Sequence, residues 1–247
     1  MKGTGGFFGR FWFAWPPLAA LATGILIYFS ASAASHDGIR HVDFKGHVPP
    51  ADVARIAEWA VQSGDHKGLP FIVVDKVNAK AVAFDRNGRW LEAAVILAGM
   101  GIGDKFPPGI ADMDMYLTKP SQRITPAGRY LAEEGENLER ETVLWVDYDN
   151  GIALHKLSPK RTKQNRHERM ATPDPRDNRI TYGCINVPPA FYDRVVAKYF
   201  RPHGGIVYVL PETAPLTSVF KSYDVGEPRL TTVRQAPVGG TPATQRF

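Results

Sequence analysis

The spacing of hydrophobic and polar residues changes near residue 70. Before that point, between Pro50 and Gly64, apolar residues recur every three or four positions. This spacing predicts one amphipathic helix that ends at the glycine. Its apolar stripe consists of Val53, Ile56, Ala57, Ala60 and Val61. We expect the stripe to pack against the domain that follows.

Short runs of β-branched and aromatic residues follow from Pro70 onward and predict strands. The runs are FIVVDK, KAVAFD, WLEAAVILAG, TVLWVDY, IALHKL and GGIVYVLPE. Turn residues at Asn87-Gly88 and at Asp149-Asn150-Gly151 predict hairpins between neighbouring runs. Because few helical stretches separate the strands, we predict a mainly β (α+β) fold with an antiparallel or mixed sheet. One more helix is predicted behind Pro188 and Pro189, in PAFYDRVVAKYF.

Both ends of the chain differ in composition from the middle. Lys2 and Arg10 precede an uncharged, mostly apolar stretch over residues 11–29, and the small residues SASAAS follow it. This pattern predicts a secretory signal peptide, or an uncleaved membrane anchor because the stretch approaches the ~20 residues that span a bilayer. Either reading places the rest of the chain in the periplasm or cell envelope. We predict four segments: a signal peptide or anchor over 1–34, a linker and amphipathic helix over 35–69, the main domain over 70–212, and a flexible tail over 213–247.

Composition and charge narrow the classes of function. The 247 residues are 44% hydrophobic and carry a net charge of +5, which loss of Lys2 and Arg10 would lower to +3. So small a positive excess does not predict a nucleic-acid partner. The seven histidines show no paired spacing, so no metal site is predicted. The glycines of AGMGIGD are followed by Pro107 and Pro108 rather than by a helix, which excludes a phosphate-binding loop.

Two long connections separate predicted strands, at residues 99–123 and 156–179. Long connections are often functional. The second one carries eight Lys and Arg residues against three acidic ones. It is either a solvated charged loop or a lid that attracts an anionic substrate.

Cys184, in RITYGCINVP, is the single cysteine of the chain and cannot form an internal disulfide. A lone thiol is either buried in the core or chemically active. Gly183 allows a tight bend before it, and the helix predicted after Pro188 would bring amide N–H groups close. His155 ends a predicted apolar strand, where an imidazole needs a polar partner. A thiol and an imidazole on neighbouring strands are the minimum for a cysteine nucleophile.

The sequence around Cys184 resembles the L,D-transpeptidase (YkuD-type) catalytic domain family. That family's signature is a histidine, a variable stretch and then Ser/Thr-His-Gly-Cys-hydrophobic-Asn, with a TP-x-G element upstream. The matching residues are His155, Thr181, Gly183, Cys184, Ile185 and Asn186, together with Thr125, Pro126 and Gly128 in RITPAGRY. The resemblance extends from Pro70 to Pro211.

The chain departs from the family signature in two ways. Tyr182 stands where the signature has its second histidine. A tyrosine can donate a hydrogen bond, but with a pKa of about 10 it is not a cation at neutral pH. The stretch between His155 and Thr181 is longer than usual, and the extra length is the basic connection.

The resemblance implies a mixed β-sandwich with a short helix after the cysteine, and an exported enzyme that cross-links or remodels the cell wall. In such an enzyme His155 deprotonates Cys184, the thiolate attacks a peptide-stem carbonyl, and the amine of a second stem resolves the thioester. The implied partners are peptidoglycan peptide stems. Neither cofactor nor metal is implied, the expected state is a monomer, and membrane contact is expected only through an uncleaved N-terminal segment.

The resemblance also assigns roles to residues of this chain. The expected catalytic residues are Cys184, His155, Gly183, Tyr182 and Thr181, and the expected substrate-binding residues are Asn186, Lys156 and Arg179. Two other functions stay open at this point. One is a catalytically silent wall-binding module, which Tyr182 suggests, and the other is a hydrolase in which water resolves the thioester.

Overall fold

A computed structural model describes residues 40–110, 113–114, 117–158 and 164–221 of the chain. The predicted signal peptide or anchor lies outside these residues. The strands are β1 (Phe71–Asp75), β2 (Lys80–Phe84), β3 (Trp90–Val95), β4 (Ala98–Gly99), β5 (Gly128–Glu136), β6 (Thr142–Asp147), β7 (Ile152–Lys156), β8 (Arg179–Thr181), β9 (Ile185–Val187) and β10 (Gly205–Val209). The helices are α1 (Ala51–Ser63), α2 (Arg166–Ala171), α3 (Pro189–Phe191, continued by π-helical turns over Tyr192–Phe200) and α4 (Leu216–Val219). Across the described ranges, no helix combines the length and the apolar character needed to span a membrane.

The strands form one large mixed sheet and one small one within the described residues. The large sheet has eight strands in the order β3-β2-β1-β10-β5-β6-β7-β9, and β4 pairs with β8 in the small one. The pairs β1/β10 and β7/β9 are parallel, whereas the sequence-adjacent pairs of this sheet are antiparallel. The predicted mainly β, α+β fold with a mixed sheet is therefore confirmed.

Helix α1 covers one face of the sheet, as its apolar stripe predicts. It ends at Gly64, whose φ of 68° is left-handed and favours glycine. Along β1, Phe71 and Val73 point into the cluster that α1 forms with Tyr208. This cluster buries every residue of the predicted stripe. The packing role predicted for the helix is therefore confirmed.

The opposite face of the sheet holds the second core. Side chains alternate along a strand, so Ile72 and Val74 of β1 point away from α1 and into this core. The turns that continue α3 cover this face with Val195, Val196 and Phe200. The helix predicted behind Pro188 is thus present and follows Cys184 closely, with only β9 between them.

The start of the described chain is packed, although the sequence predicts a linker there. Asp43 bridges to Arg89, and the backbone N–H of Trp90 donates to the Asp43 carbonyl oxygen at 2.8 Å. The His47 ring stacks on the Trp90 ring with 4.6 Å between centroids. Residues 40–50 of the predicted linker therefore belong to the edge of the domain beside β3.

The predicted start of the flexible tail at Thr213 is corrected by the structure. The N–H and the hydroxyl of Thr213 both donate to Asp104, at 2.9 and 2.5 Å. Beyond it, Leu216 and Phe220 are buried in the cluster formed by α1. Residues 213–221 are thus part of the domain, because two apolar side chains in this Pro- and Thr-rich stretch find a partner surface. The rest of the predicted tail lies outside the described residues.

The basic connection between β7 and β8 is partly helical. It contains α2 and a 3-10 turn over Pro175–Asn178. The turn is capped by Asp174, whose carboxylate accepts the N–H of Arg176. Asn178 is buried, and its side-chain N–H donates to the Ile96 carbonyl oxygen at 2.8 Å. The connection is therefore anchored to the end of β3 before it enters β8.

Candidate active site

Cys184 is the last of the three residues, Tyr182, Gly183 and Cys184, in the turn that connects β8 to β9. The Thr181 hydroxyl closes this turn from within: it accepts the N–H of Gly183 at 3.1 Å and donates to the Cys184 carbonyl oxygen at 2.6 Å. Thr181 is itself buried. Its role here is to hold the turn in shape, and its hydroxyl is engaged by the backbone on both sides.

Gly183 is required by the shape of the turn. Its φ of 132° lies in the region that side chains other than glycine rarely adopt. A Cβ atom at this position would lie 2.7 Å from the Ile124 carbonyl oxygen and 2.8 Å from a methyl carbon of Ile152. The glycine therefore lets the upstream segment pass directly against the turn.

Thr125 of the TP-x-G element connects that upstream segment to the turn. The residue is fully buried, with 0% of its surface exposed. Its hydroxyl accepts the Gly99 N–H at 2.9 Å and donates to the Gly183 carbonyl oxygen at 2.7 Å. One side chain thus joins three segments that are far apart in sequence.

The Cys184 side chain is half-buried and its sulfur is not in a disulfide. Its Sγ–H donates to the Gly151 carbonyl oxygen at 3.5 Å, in the predicted Asp149-Asn150-Gly151 hairpin.

His155 occupies the strand next to Cys184. Strands β7 and β9 are parallel, with His155 in register with Asn186 and Leu154 in register with Ile185. Leu154 and Ile185 are both fully buried in the core beneath α3. Because successive side chains point to opposite faces, His155 and Asn186 lie on the other face of the sheet.

The same register bears on the predicted pairing of His155 with Cys184. Cys184 stands two residues before Asn186, so it begins on the face that carries His155. Strands lie about 4.8 Å apart and rise about 3.3 Å per residue, so an ideal continuation of β9 back to Cys184 gives about 8 Å between the Cα atoms of His155 and Cys184. Two side chains of this length can meet across that distance. The strand register is therefore compatible with the pairing that the sequence predicts.

The predicted substrate-binding cations do not join this pair. Lys156 follows His155 on β7 and pairs with Asp193, with 2.6 Å between Nζ and Oδ1. Arg179 forms an ion pair with Glu212 and donates to the Lys76 carbonyl oxygen at 3.1 Å. Both charges are thus neutralised within the domain, and neither contact supports the predicted role in substrate binding.

Asn186 is buried by a residue of the basic connection. The Arg166 guanidinium donates to Asn186 Oδ1 at 2.6 Å, and both residues are at most 6% exposed. Arg166 opens α2, so the connection is docked on the face that carries His155. Arg166 is therefore buried, and the interpretation of the basic connection as a solvated charged loop is wrong for this residue. The contact of Arg166 with Asn186 places the start of α2 against one residue of the motif, which is compatible with the lid interpretation.

A group of buried charges holds the segments beneath the turn. Lys76 is 1% exposed, and its Nζ donates to Asp104 Oδ1 and to the Thr125 carbonyl oxygen, both at 3.0 Å. Burial raises the pKa of Asp104, but the hydrogen bonds from Thr213, Glu212 and Lys76 outweigh it and hold the pKa well below its usual range. The carboxylate thus stays ionised and keeps Thr125 in place. Sequence reasoning missed this group because its members show no spacing pattern.

The Tyr182 ring makes a cation–π contact with Arg123. The Arg123 guanidinium carbon lies 3.8 Å from the centroid of the Tyr182 ring. Cations at this distance from an aromatic face are attracted by its quadrupole. Arg123 escaped sequence reasoning, although it begins the RITPAGRY element, two residues before Thr125.

A cavity of about 330 Å³ lies between β7 and the turns that continue α3. His155 contributes to its wall together with Lys156, Tyr192 and Asp193, but Cys184 does not. The cavity thus borders the predicted base and not the predicted nucleophile.

Several solved structures of L,D-transpeptidases are similar to this chain. The E. faecium catalytic domain is 16% identical over 57% of this chain and 95% of its own, with a TM-score of 0.36. The enzyme from Xylanimonas cellulosilytica DSM 15894 is 13% identical over 57% and 60% of the two chains, with a TM-score of 0.38. The Mycobacterium smegmatis enzyme is 17% identical over 57% and 58%, with a TM-score of 0.31. This chain thus covers about three fifths of the latter two structures.

Neither protein-family models nor curated protein sequences match this chain.

Proposed function

We propose that this chain is an exported, cysteine-dependent L,D-transpeptidase that acts on peptide stems of peptidoglycan. The observation that carries the proposal is the register of β7 with β9, which supports a pairing of His155 with Cys184 on one face. The turn that holds Cys184 is fixed by two buried hydroxyls, Thr181 and Thr125. Preorganisation of this kind is what nucleophilic catalysis needs.

In the first half-reaction His155 accepts the Sγ proton of Cys184. The thiolate attacks the carbonyl carbon of the stem residue that precedes the terminal D-amino acid, and a C–S bond forms. The C–N bond to the D-amino acid then breaks, and the His155 imidazolium returns the proton to the departing amine. A thioester between Cys184 and the stem remains.

In the second half-reaction the amine of another stem attacks the thioester carbonyl. His155 takes a proton from that amine, a new amide bond forms, and the C–S bond breaks. The Cys184 sulfur leaves as a thiolate and recovers the proton from His155. The net reaction exchanges one amide for another, so it needs neither oxidant nor energy source.

Backbone amides are the donors that we assign to the oxyanion of both tetrahedral intermediates. The Gly183 N–H is committed to the Thr181 hydroxyl at 3.1 Å. We therefore assign the oxyanion to the amides of Tyr182 and Cys184, and give Gly183 the task of shaping the turn.

The test is the mass of the intact protein after incubation with a carbapenem. Because the chain has one cysteine, a thioester adduct can form only at Cys184. We expect the mass to rise by one carbapenem, and the Cys184→Ser variant to show no such rise. A folded wild-type protein that gains no mass would overturn the proposal and favour the silent wall-binding module.

Transpeptidase and hydrolase activities differ in the second half-reaction only. Purified stems are incubated with and without a second stem as amine acceptor, and the products are separated by liquid chromatography. We expect a cross-linked product when the acceptor is present. Shortened stems alone, in both mixtures, would assign the chain to the hydrolases.

A further inference from the structure

We infer that Arg123, held on the ring of Tyr182, forms a subsite for the terminal carboxylate of the peptide stem. The inference rests on the proposed function, since it names the group that the departing D-amino acid presents. It also gives a function to Tyr182, which stands where the family signature has its second histidine.

Arg123 is held in place from two directions. Its guanidinium carbon lies 3.8 Å from the centroid of the Tyr182 ring. On another side, Nε donates to the Thr118 hydroxyl at 3.2 Å and Nη2 donates to the Thr118 carbonyl oxygen at 2.8 Å. A half-buried guanidinium fixed in this way loses little entropy when it binds a ligand.

The charge of Arg123 is not neutralised by a carboxylate within the described part of the chain. Its acceptors are the two Thr118 oxygens and the Met100 sulfur, which lies 3.5 Å from Nη1. By contrast, Lys76, Lys156 and Arg179 each form an ion pair. Arg123 is therefore a cation beside Tyr182 that no carboxylate of the described residues neutralises.

The donors that Arg123 keeps are suited to a carboxylate. A guanidinium has five N–H groups, and the contacts above use one on each of its three nitrogens. One N–H remains on Nη1 and one on Nη2. Two neighbouring donors in a plane match the two oxygens of a carboxylate.

The distance from the nucleophile also fits a terminal carboxylate. Tyr182 belongs to the turn closed by Thr181 and stands two residues before Cys184, a span of at most about 7 Å between Cα atoms. In the stem, the attacked carbonyl carbon and the terminal carboxylate carbon are separated by one N and one Cα, or about 3–4 Å. A cation stacked on this turn is thus within reach of the carboxylate when the carbonyl lies at the sulfur.

Binding to the non-reactive Cys184→Ser protein tests the inference without any chemistry. The ligands are a tetrapeptide stem with a free terminal carboxylate and the same peptide ending in a carboxamide, and the readout is the Kd by titration calorimetry. We expect the carboxylate peptide to bind at least tenfold more tightly. We expect the added Arg123→Gln substitution to raise the Kd of the carboxylate peptide to that of the carboxamide peptide. The Kd of the carboxamide peptide should not change.

Two further variants complete the design. Arg194→Gln removes a surface cation that pairs with Glu92 and should leave the ratio of the two affinities unchanged. Arg123→Lys keeps the charge but loses the planar fork, so the ratio should fall several-fold. If Arg123→Gln lowers the thermal unfolding midpoint, the affinity ratio of Arg123→Lys still tests the inference.

An affinity ratio that is the same with and without Arg123 would overturn the inference. Equal weakening of both peptides by Arg123→Gln would also overturn it, since the guanidinium would then serve another group. Failure of the proposed function looks different, because it shows as a wild-type protein that gains no carbapenem mass.

Discussion

Thr125→Val isolates the hydroxyl that joins three segments beneath the nucleophile. Valine has nearly the same shape, so the substitution leaves the packing intact and removes only the hydrogen bonds to the Gly99 N–H and the Gly183 carbonyl oxygen. Leaving a buried donor or acceptor without a partner costs about 1–3 kcal/mol. Two such groups at a residue that is 0% exposed should therefore lower the free energy of unfolding by about 2–5 kcal/mol.

Urea unfolding followed by tryptophan fluorescence measures this loss. We expect a lower midpoint with an unchanged m-value, because the folded surface stays the same. Thr125→Ser is the matched control: it keeps the hydroxyl and loses one methyl group, which costs about 1 kcal/mol. Thr125→Val should also slow carbapenem acylation, since the turn that presents Cys184 loses its support. A serine variant less stable than the valine variant would refute the reasoning.

Two other predictions concern the base and the buried charges. His155→Ala should shift alkylation of Cys184 by iodoacetamide to higher pH, since the group that accepts the thiol proton is gone; an unchanged pH profile would argue against the pairing. Asp104→Asn should lower the free energy of unfolding at pH 7 by about 2–3 kcal/mol, because Lys76 loses a charged partner. The pKa of Asp104 is lower in the folded than in the unfolded state, so its contribution is present above about pH 4 and is lost as the pH falls further. The gap between wild type and Asp104→Asn in urea unfolding should therefore be smaller at pH 3 than at pH 7.

Local patterns in the sequence were enough to predict most elements of this protein. The stripe that ends at Gly64, the hairpin at Asp149-Asn150-Gly151 and the helix behind Pro188 all have the structure that their residues predict. The reason is that periodicity and turn chemistry act between residues a few positions apart. The motif TYGCIN, together with His155 in IALHKL, led to the prediction of Cys184 and His155 as site residues, because a motif is read one residue at a time.

Contacts between distant segments were decided only by the tertiary structure. The parallel pairing of β4 with β8 joins Ala98 to Arg179 and Gly99 to Thr181, and the Thr125 hydroxyl donates to the Gly183 carbonyl oxygen beside it. No periodicity records such a pairing, because its free energy comes from the sheet order as a whole. The same holds for Arg166, which looks like one of many solvated cations in the sequence and is buried against Asn186 in the fold. The contact between Arg123 and Tyr182 is also decided by the tertiary structure, because it depends on where the strands place the two residues.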